Sequence, residues 1–156
     1  VVNSVDLRLT AFGEEAINRT LFGVSARMDD VTPALNQLMV DFQEAEVEQF
    51  STAGQFGSGG WLELADSTVT QKRREGLDNG ILIRTGYLQD ALTLGDAPGA
   101  IREVSNTVLV FGADVDYGEY HQQGRGVPQR RPFELPEQVR QDAVKTLQRY
   151  IITGEL

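Results

Sequence analysis

The chain has 156 residues, no cysteine, one histidine and a formal net charge of -9 at pH 7. That length is about one domain and can bury roughly two-thirds of its unfolded surface without covalent staples. The missing thiols exclude disulfides, thiolate metal sites and cysteine nucleophiles, and the acidic balance opposes tight nucleic-acid binding, which neutralises phosphates with Lys and Arg.

Ser4 to Phe12 alternates Val5, Leu7, Leu9 and Ala11 against Asp6, Arg8 and Thr10. That period of two predicts a half-buried strand. The same stretch lacks the basic leader and apolar core of a signal peptide. Glu14 to Met28 is helical in composition, with Ile17, Leu21 and Val24 on one face and Gly23 weakening it. Asp30 or Thr32 is a candidate cap for the next helix, and Pro33 suits its first turn. From Ala34 to Phe50, the residues Leu35, Leu38, Met39, Phe42, Ala45 and Phe50 fall on one helical stripe opposite Asn36, Gln37, Asp41, Gln43, Glu44 and Glu48. This predicts an amphipathic helix facing a core.

Ala53 to Gly60 is a flexible loop by glycine content. It is not a phosphate-binding loop, because Trp61 stands where that motif requires Gly-Lys-Ser/Thr. Leu64 to Glu75 predicts a short helix capped by Asp66 or Ser67, and Gly76 to Gly80 breaks it. Thr85 is expected to cap a helix from Tyr87 to Leu94 after a sharp turn at Gly86. Ala100 to Val104 and Thr107 to Phe111 read as strands joined by a tight Ser105-Asn106 hairpin. The continuous apolar run Val108 to Phe111 predicts a strand buried on both faces. A short helix or turn over Asp116 to Gln123 and a loop from Gly124 to Pro128 follow. Pro136 opens a last helix with Val139, Ala143, Leu147 and Ile151 in one ridge, joined by Tyr150 and ended by Thr153-Gly154. The order β-α-α-α-β-β-α predicts one α+β domain over 1–156, with helices packed on a small, mainly antiparallel sheet. No apolar run approaches the roughly 20 residues of a membrane helix.

The second half carries a specific order of residues: Trp61-Leu62-Glu63-Leu64, Thr68, Lys72, Thr85-Gly86-Tyr87-Leu88, Tyr120-His121-Gln122-Gln123-Gly124 and Arg131-Pro132-Phe133. In that order the chain resembles the virion-morphogenesis (tail-completion) family of tailed bacteriophages. Arg130 stands where the family usually has a small residue. The resemblance implies a structural protein of the head–tail junction, assembled in the host cytoplasm and resident in the virion. It would form a homohexameric ring on the tail tube protein, meet a neck or head-closure protein, and surround a channel that DNA crosses without specific binding. No enzymatic activity, cofactor, metal or membrane contact is implied. A neck or head-closure role at the same junction is the alternative.

His121 could serve a hydrolase with Asp116 or Glu119 and a serine such as Ser105, but no Gly-x-Ser-x-Gly elbow is present. The preferred reading has its imidazole satisfying buried backbone groups beside the Gly124 loop. Asp114 and Asp116 lack the rest of a calcium loop. Lys72-Arg73-Arg74 reads as a solvated surface. Arg125, Arg130 and Arg131 are the candidate contacts to a neighbouring subunit, because acidic copies need cations at their interfaces. Trp61, Thr85, Gly86, His121, Gly124, Pro132 and Phe133 are candidate structural residues, with Trp61 as a core or interface anchor.

Overall fold

The structure is a computed structural model that describes residues 13–77 and 80–156. The strand expected over Ser4 to Phe12 lies outside the described residues. Among them the chain forms seven helices and one two-stranded antiparallel sheet, an α+β arrangement.

Helix α2 (Thr32–Ser51) is the organising element. Pro33 sits in its first turn, and the Asp30 carboxylate accepts the Thr32 N–H at 3.0 Å. Its stripe divides into two cores. At the N-terminal end Val31, Leu35 and Leu38 pack against Ala143, Leu147, Tyr150 and Ile151 of α7 (Glu137–Thr153), with Val104 and Leu109 closing the side. At the C-terminal end Phe50 meets Trp61, and both join Leu88, Ala91 and Leu92 of α5 (Tyr87–Thr93) and Val115. Ala143, Leu147 and Ile151 of the expected α7 ridge, with Tyr150 that joins it, are thus where their spacing places them.

The sheet pairs β1 (Ala100–Val104) with β2 (Leu109–Ala113), Val104 opposite Leu109. The first strand has the expected limits, whereas the second runs Leu109–Ala113 in place of Thr107 to Phe111 and the turn shifts with it. The turn is centred on Asn106-Thr107, flanked by the Ser105 N–H donating to the Val108 carbonyl at 2.9 Å. Tertiary contacts hold it there, since the Val31 N–H donates to the Asn106 carbonyl at 2.7 Å. Nor is β2 buried on both faces. Phe111 packs edge-on against Phe42 of α2, whereas Val108 and Val110 are exposed. Helices cover only one face of the hairpin, so a continuous apolar run does not secure two-sided burial.

Three other expectations change. The glycine-rich stretch contains a short helix, α3 (Gln55–Ser58). Helix α4 (Asp66–Arg74) starts after an extended Ala65 with no side-chain cap, so neither Asp66 nor Ser67 caps it. Helix α1 (Glu14–Asp29) forms, but Ile17 and Leu21 are exposed and no α1 residue is buried. Among the described residues its outer apolar side chains are uncovered, while Val24, nearer the contact with α7, is half-buried. Helix α6 (Asp116–Gln123) ends at Gly124, whose φ of +73° suits the left-handed cap position.

Candidate functional site

Trp61 and the Arg131-Pro132-Phe133 segment converge on a polar lock at the C-terminal end of α2. Trp61 is 7% exposed, stands edge-on to Phe50 with ring centroids 5.2 Å apart, and donates its indole N–H to the Arg131 carbonyl at 2.9 Å. Gly54 lies beneath the indole at a φ of +83°, where an added Cβ would come within 2.4 Å of it. Gln49 is fully buried and completes the lock. Its amide N–H donates to Ser58 Oγ (3.1 Å) and the Arg131 carbonyl (3.2 Å), and its Oε1 accepts the Gly57 N–H (2.8 Å).

Two further fasteners extend it. Arg130 is 6% exposed and donates to the carbonyls of Leu62 (2.6 Å) and Glu63 (2.8 Å). Burial lowers its pKa, partly offset by the charge of Glu63. The Gln122 side chain brackets Phe133, donating to its carbonyl at 2.8 Å and accepting its N–H at 3.2 Å. Pro132 is buried beside it, and Phe133 stacks on Phe111 at 5.8 Å. The Gly124 loop is tied down as well, with the Arg125 N–H on the Tyr120 carbonyl (3.0 Å) and the Arg130 N–H on the His121 carbonyl (3.0 Å).

The three candidate interface arginines therefore separate. Arg130 faces inward, because two backbone carbonyls and a low-dielectric pocket claim its guanidinium, and it is corrected from an intersubunit contact to an internal clamp. Arg125 is exposed and meets Glu119 at 3.4 Å, and Arg131 meets Glu134 at 3.2 Å. Lys72 likewise differs from a solvated charge, donating to the carbonyls of Gly80 (2.8 Å) and Ile83 (2.7 Å) and so holding the turn that leads to Gly86. Gly86 has a φ of +83° and opens α5, while the Thr85 hydroxyl accepts the Tyr87 N–H only at 3.4 Å. Gly86 therefore sets this turn more than the Thr85 cap does.

His121 contradicts its structural expectation. Its Nδ1 is buried and has no hydrogen-bond partner among the described residues, so the imidazole satisfies no backbone group through that atom. Burial lowers its pKa, and the nearby Arg130 charge acts in the same direction. No hydrogen bond joins it to Asp116, Glu119 or Ser105 among the described residues. The ring lines a groove of about 680 Å³ between α4, the turn before Gly86, α6 and the loop ahead of Arg130. Leu64, Ala65, Ile83, Val127 and Pro128 give this groove its apolar character.

Sequence reasoning missed the buried polar pair on α2. Glu46 and Gln49 fall on the same helical stripe as Leu38, Phe42 and Ala45, and both are fully buried. Their position among apolar residues was the available signal. Arg102 was missed too. It stands over the Phe111 ring at 3.8 Å and donates to the carbonyls of Ala91 (3.0 Å), Leu92 (2.7 Å), Ile101 (2.8 Å) and Gly112 (2.8 Å).

Among the described residues, no group of three His, Asp or Glu side chains converges as a metal site, and no helix is long and apolar enough to cross a membrane. Comparison with protein-family models, with curated proteins and with solved structures returned no match.

Proposed function

We propose that this chain is a structural subunit of the head–tail junction of a tailed phage, acting as a ring that completes the tail tube and accepts the head. The single observation that carries a self-assembling role is α1, whose apolar residues Ile17, Leu21 and Phe22 stand exposed on a helix with no buried residue. A helix of that kind is stable in water only marginally by itself and calls for a partner surface. The resemblance then supplies the setting: a homohexameric ring between the tail tube protein and a neck protein, with phage DNA passing through its lumen.

The resemblance motif fits this reading. Trp61, Arg130, Pro132 and Phe133 stiffen the loops around one end of α2, and a ring subunit needs a rigid frame to repeat one contact around an axis. Each copy adds a charge of -9, so an acidic lumen that repels phosphate would let DNA slide. A neck or head-closure ring would use the same surfaces with a different neighbour.

Mass determination of the protein on isolated tails, together with negative-stain images, tests the proposal. A closed ring of several copies at the tail end is expected. A single copy per tail, or absence from tails, overturns it. A ring whose lumen is lined mainly by Arg and Lys would replace sliding with DNA gripping.

A further inference from the structure

Among the described residues β1 and β2 pair only with each other, so each strand has one edge without a neighbour. The Ser105 N–H donates to the Val108 carbonyl and the Asp114 N–H to the Gly99 carbonyl. In the observed register the ladder bonds therefore fall at Glu103–Val110 and Ile101–Gly112. The backbone groups of Leu109, Phe111 and Ala113 point away from β1, and no described residue bonds them. Natural sheets defend such edges with charged side chains. Strand β1 carries Arg102 and Glu103, and its Ala100 N–H is taken by the Ala97 carbonyl at 3.0 Å. Strand β2 reads Leu-Val-Phe-Gly-Ala, with neither charge nor proline.

We infer that the open edge of β2 is the docking strip for residues 4–12 of a second copy, which add to the hairpin as a third strand. The inference rests on the ring reading and names a contact that would build the ring. Val5, Leu7, Leu9 and Ala11 alternate with Asp6, Arg8 and Thr10, the pattern of a strand with one side to bury. A strand added to an edge gains main-chain hydrogen bonds along its length and sets alternate side chains into adjacent pockets. A cavity of about 470 Å³ lies against the C-terminal half of β2, walled in part by Leu88, Leu92, Ala113, Val115 and Phe133. Asp114, Asp116 and Glu119 also line it and disfavour an acidic occupant. Residues 4–12 balance Asp6 with Arg8 and are neutral in a chain of net charge -9.

Reach assigns the strand to a second copy. The C-terminal end of α1 is anchored by Arg27, which donates to the carbonyls of Ile151 and Ile152 at 2.8 Å each. Just beyond it, the Val31 N–H holds the Asn106 carbonyl at the hairpin turn. The 16 residues of α1 then carry Gly13 about 24 Å from that anchor, and every residue from Gly13 to Phe22 is exposed. A return to its own hairpin would use about seven residues at roughly 3.3 Å each, leaving too few to pair along β2. Strand and edge are different surfaces of one chain, so the contact is heterologous and propagates head to tail until the rotation closes it.

Amide hydrogen exchange of the full chain, dilute and free or on isolated tails, tests the contact. Val110 and Gly112, whose N–H groups bond β1, should be protected in both states. Leu109, Phe111 and Ala113 should exchange readily in the free subunit and slow by at least about tenfold on tails. A full chain carrying Leu7→Pro and Leu9→Pro should stay off tails, and a free peptide of residues 1–12 should bind it and slow the same three amides. Ala113→Pro removes one outward N–H and no bond to β1, so it should fold yet join tails at least about tenfold less; if it does not fold, the peptide measurement decides. Protection of the three amides in the free monomer would mean that the strand returns to its own hairpin, and slowing at Ala100, Arg102 and Val104 instead would put it on the β1 edge; either result overturns the contact. A ring in which Leu109, Phe111 and Ala113 still exchange readily ends this contact while the ring reading stands. A chain that is monomeric both free and on tails overturns both.

Discussion

Glu46→Gln should flatten the pH dependence of stability on the alkaline side. Glu46 is fully buried, and neither carboxyl oxygen has a hydrogen-bond partner at proper geometry among the described residues. Burial pushes its pKa up to about 8 from the ordinary 4.5, against the opposing pull of the Glu134 backbone and the Arg102 charge. Arg102 cannot fully compensate, since its terminal nitrogens already serve four carbonyls. Below pH 4.5 both folded and unfolded chains hold the Glu46 proton, and its contribution to stability is fully present. As pH rises from there the unfolded chain releases the proton and the folded chain keeps it. Stability then falls by about 1.4 kcal/mol per pH unit until the folded value is passed. The interval from 4.5 to about 8 spans 3.5 units, which sets a ceiling of about 5 kcal/mol. That is a large share of the roughly 5–15 kcal/mol that holds a domain together. Gln keeps the shape and removes the ionisation. Urea titrations at several pH values within this window, read by the fluorescence of the single Trp61, should show the wild-type midpoint falling with pH. At typical slopes the fall is on the order of 0.5–1 M urea per unit relative to Glu46→Gln. Parallel pH profiles for the two proteins would refute the reasoning, because the carboxyl would then be ionised or solvated in the folded state.

His121 works on the other side of neutrality. Its lowered pKa means that stability is present above the ordinary 6.5 and is lost as pH falls through the folded value, so His121→Gln should lessen acid destabilisation in the same titrations. Arg130→Met should leave the Leu62 and Glu63 carbonyls unpaired and cost about 1–3 kcal/mol for each, measured by thermal melts, whereas Arg125→Glu, at an exposed position, should leave the melting temperature nearly unchanged. Trp61→Phe removes one of the two donors to the Arg131 carbonyl, Gln49 being the other, and should cost about 0.5–1.5 kcal/mol for the lost hydrogen bond by urea titration followed by circular dichroism. Gly54→Ala should be at least as costly, since its positive φ alone carries about 1–3 kcal/mol for a non-glycine residue and the new methyl meets the indole; a neutral Gly54→Ala would mean the loop packs differently.

Local pattern alone determined several elements. The helical stripe from Leu35 to Phe50 and the ridge from Ala143 to Ile151 are periodic, and a periodic apolar face fixes both the element and the side that is sticky. Gly86 and Gly124 mark turns because each takes a backbone conformation that a Cβ disfavours. What the pattern could not tell is whether a partner exists for each face. Ile17 and Leu21 continue a helical stripe as Leu35 and Leu38 do on α2, yet they are exposed, because no other element among the described residues covers them. The same limit explains the hairpin, whose turn position follows from the contact of Asn106 with Val31, far away in sequence. Charged and polar side chains depend most on three-dimensional context. Arg130 sits in a run of apparent surface charge, but the fold brings the carbonyls of Leu62 and Glu63 to it. Glu46 and Gln49 are adjacent on one stripe and both buried, but only the loops that reach Gln49 give it partners. Which polar group is satisfied, and which is left with a displaced pKa, is decided by distant segments of chain meeting at one place.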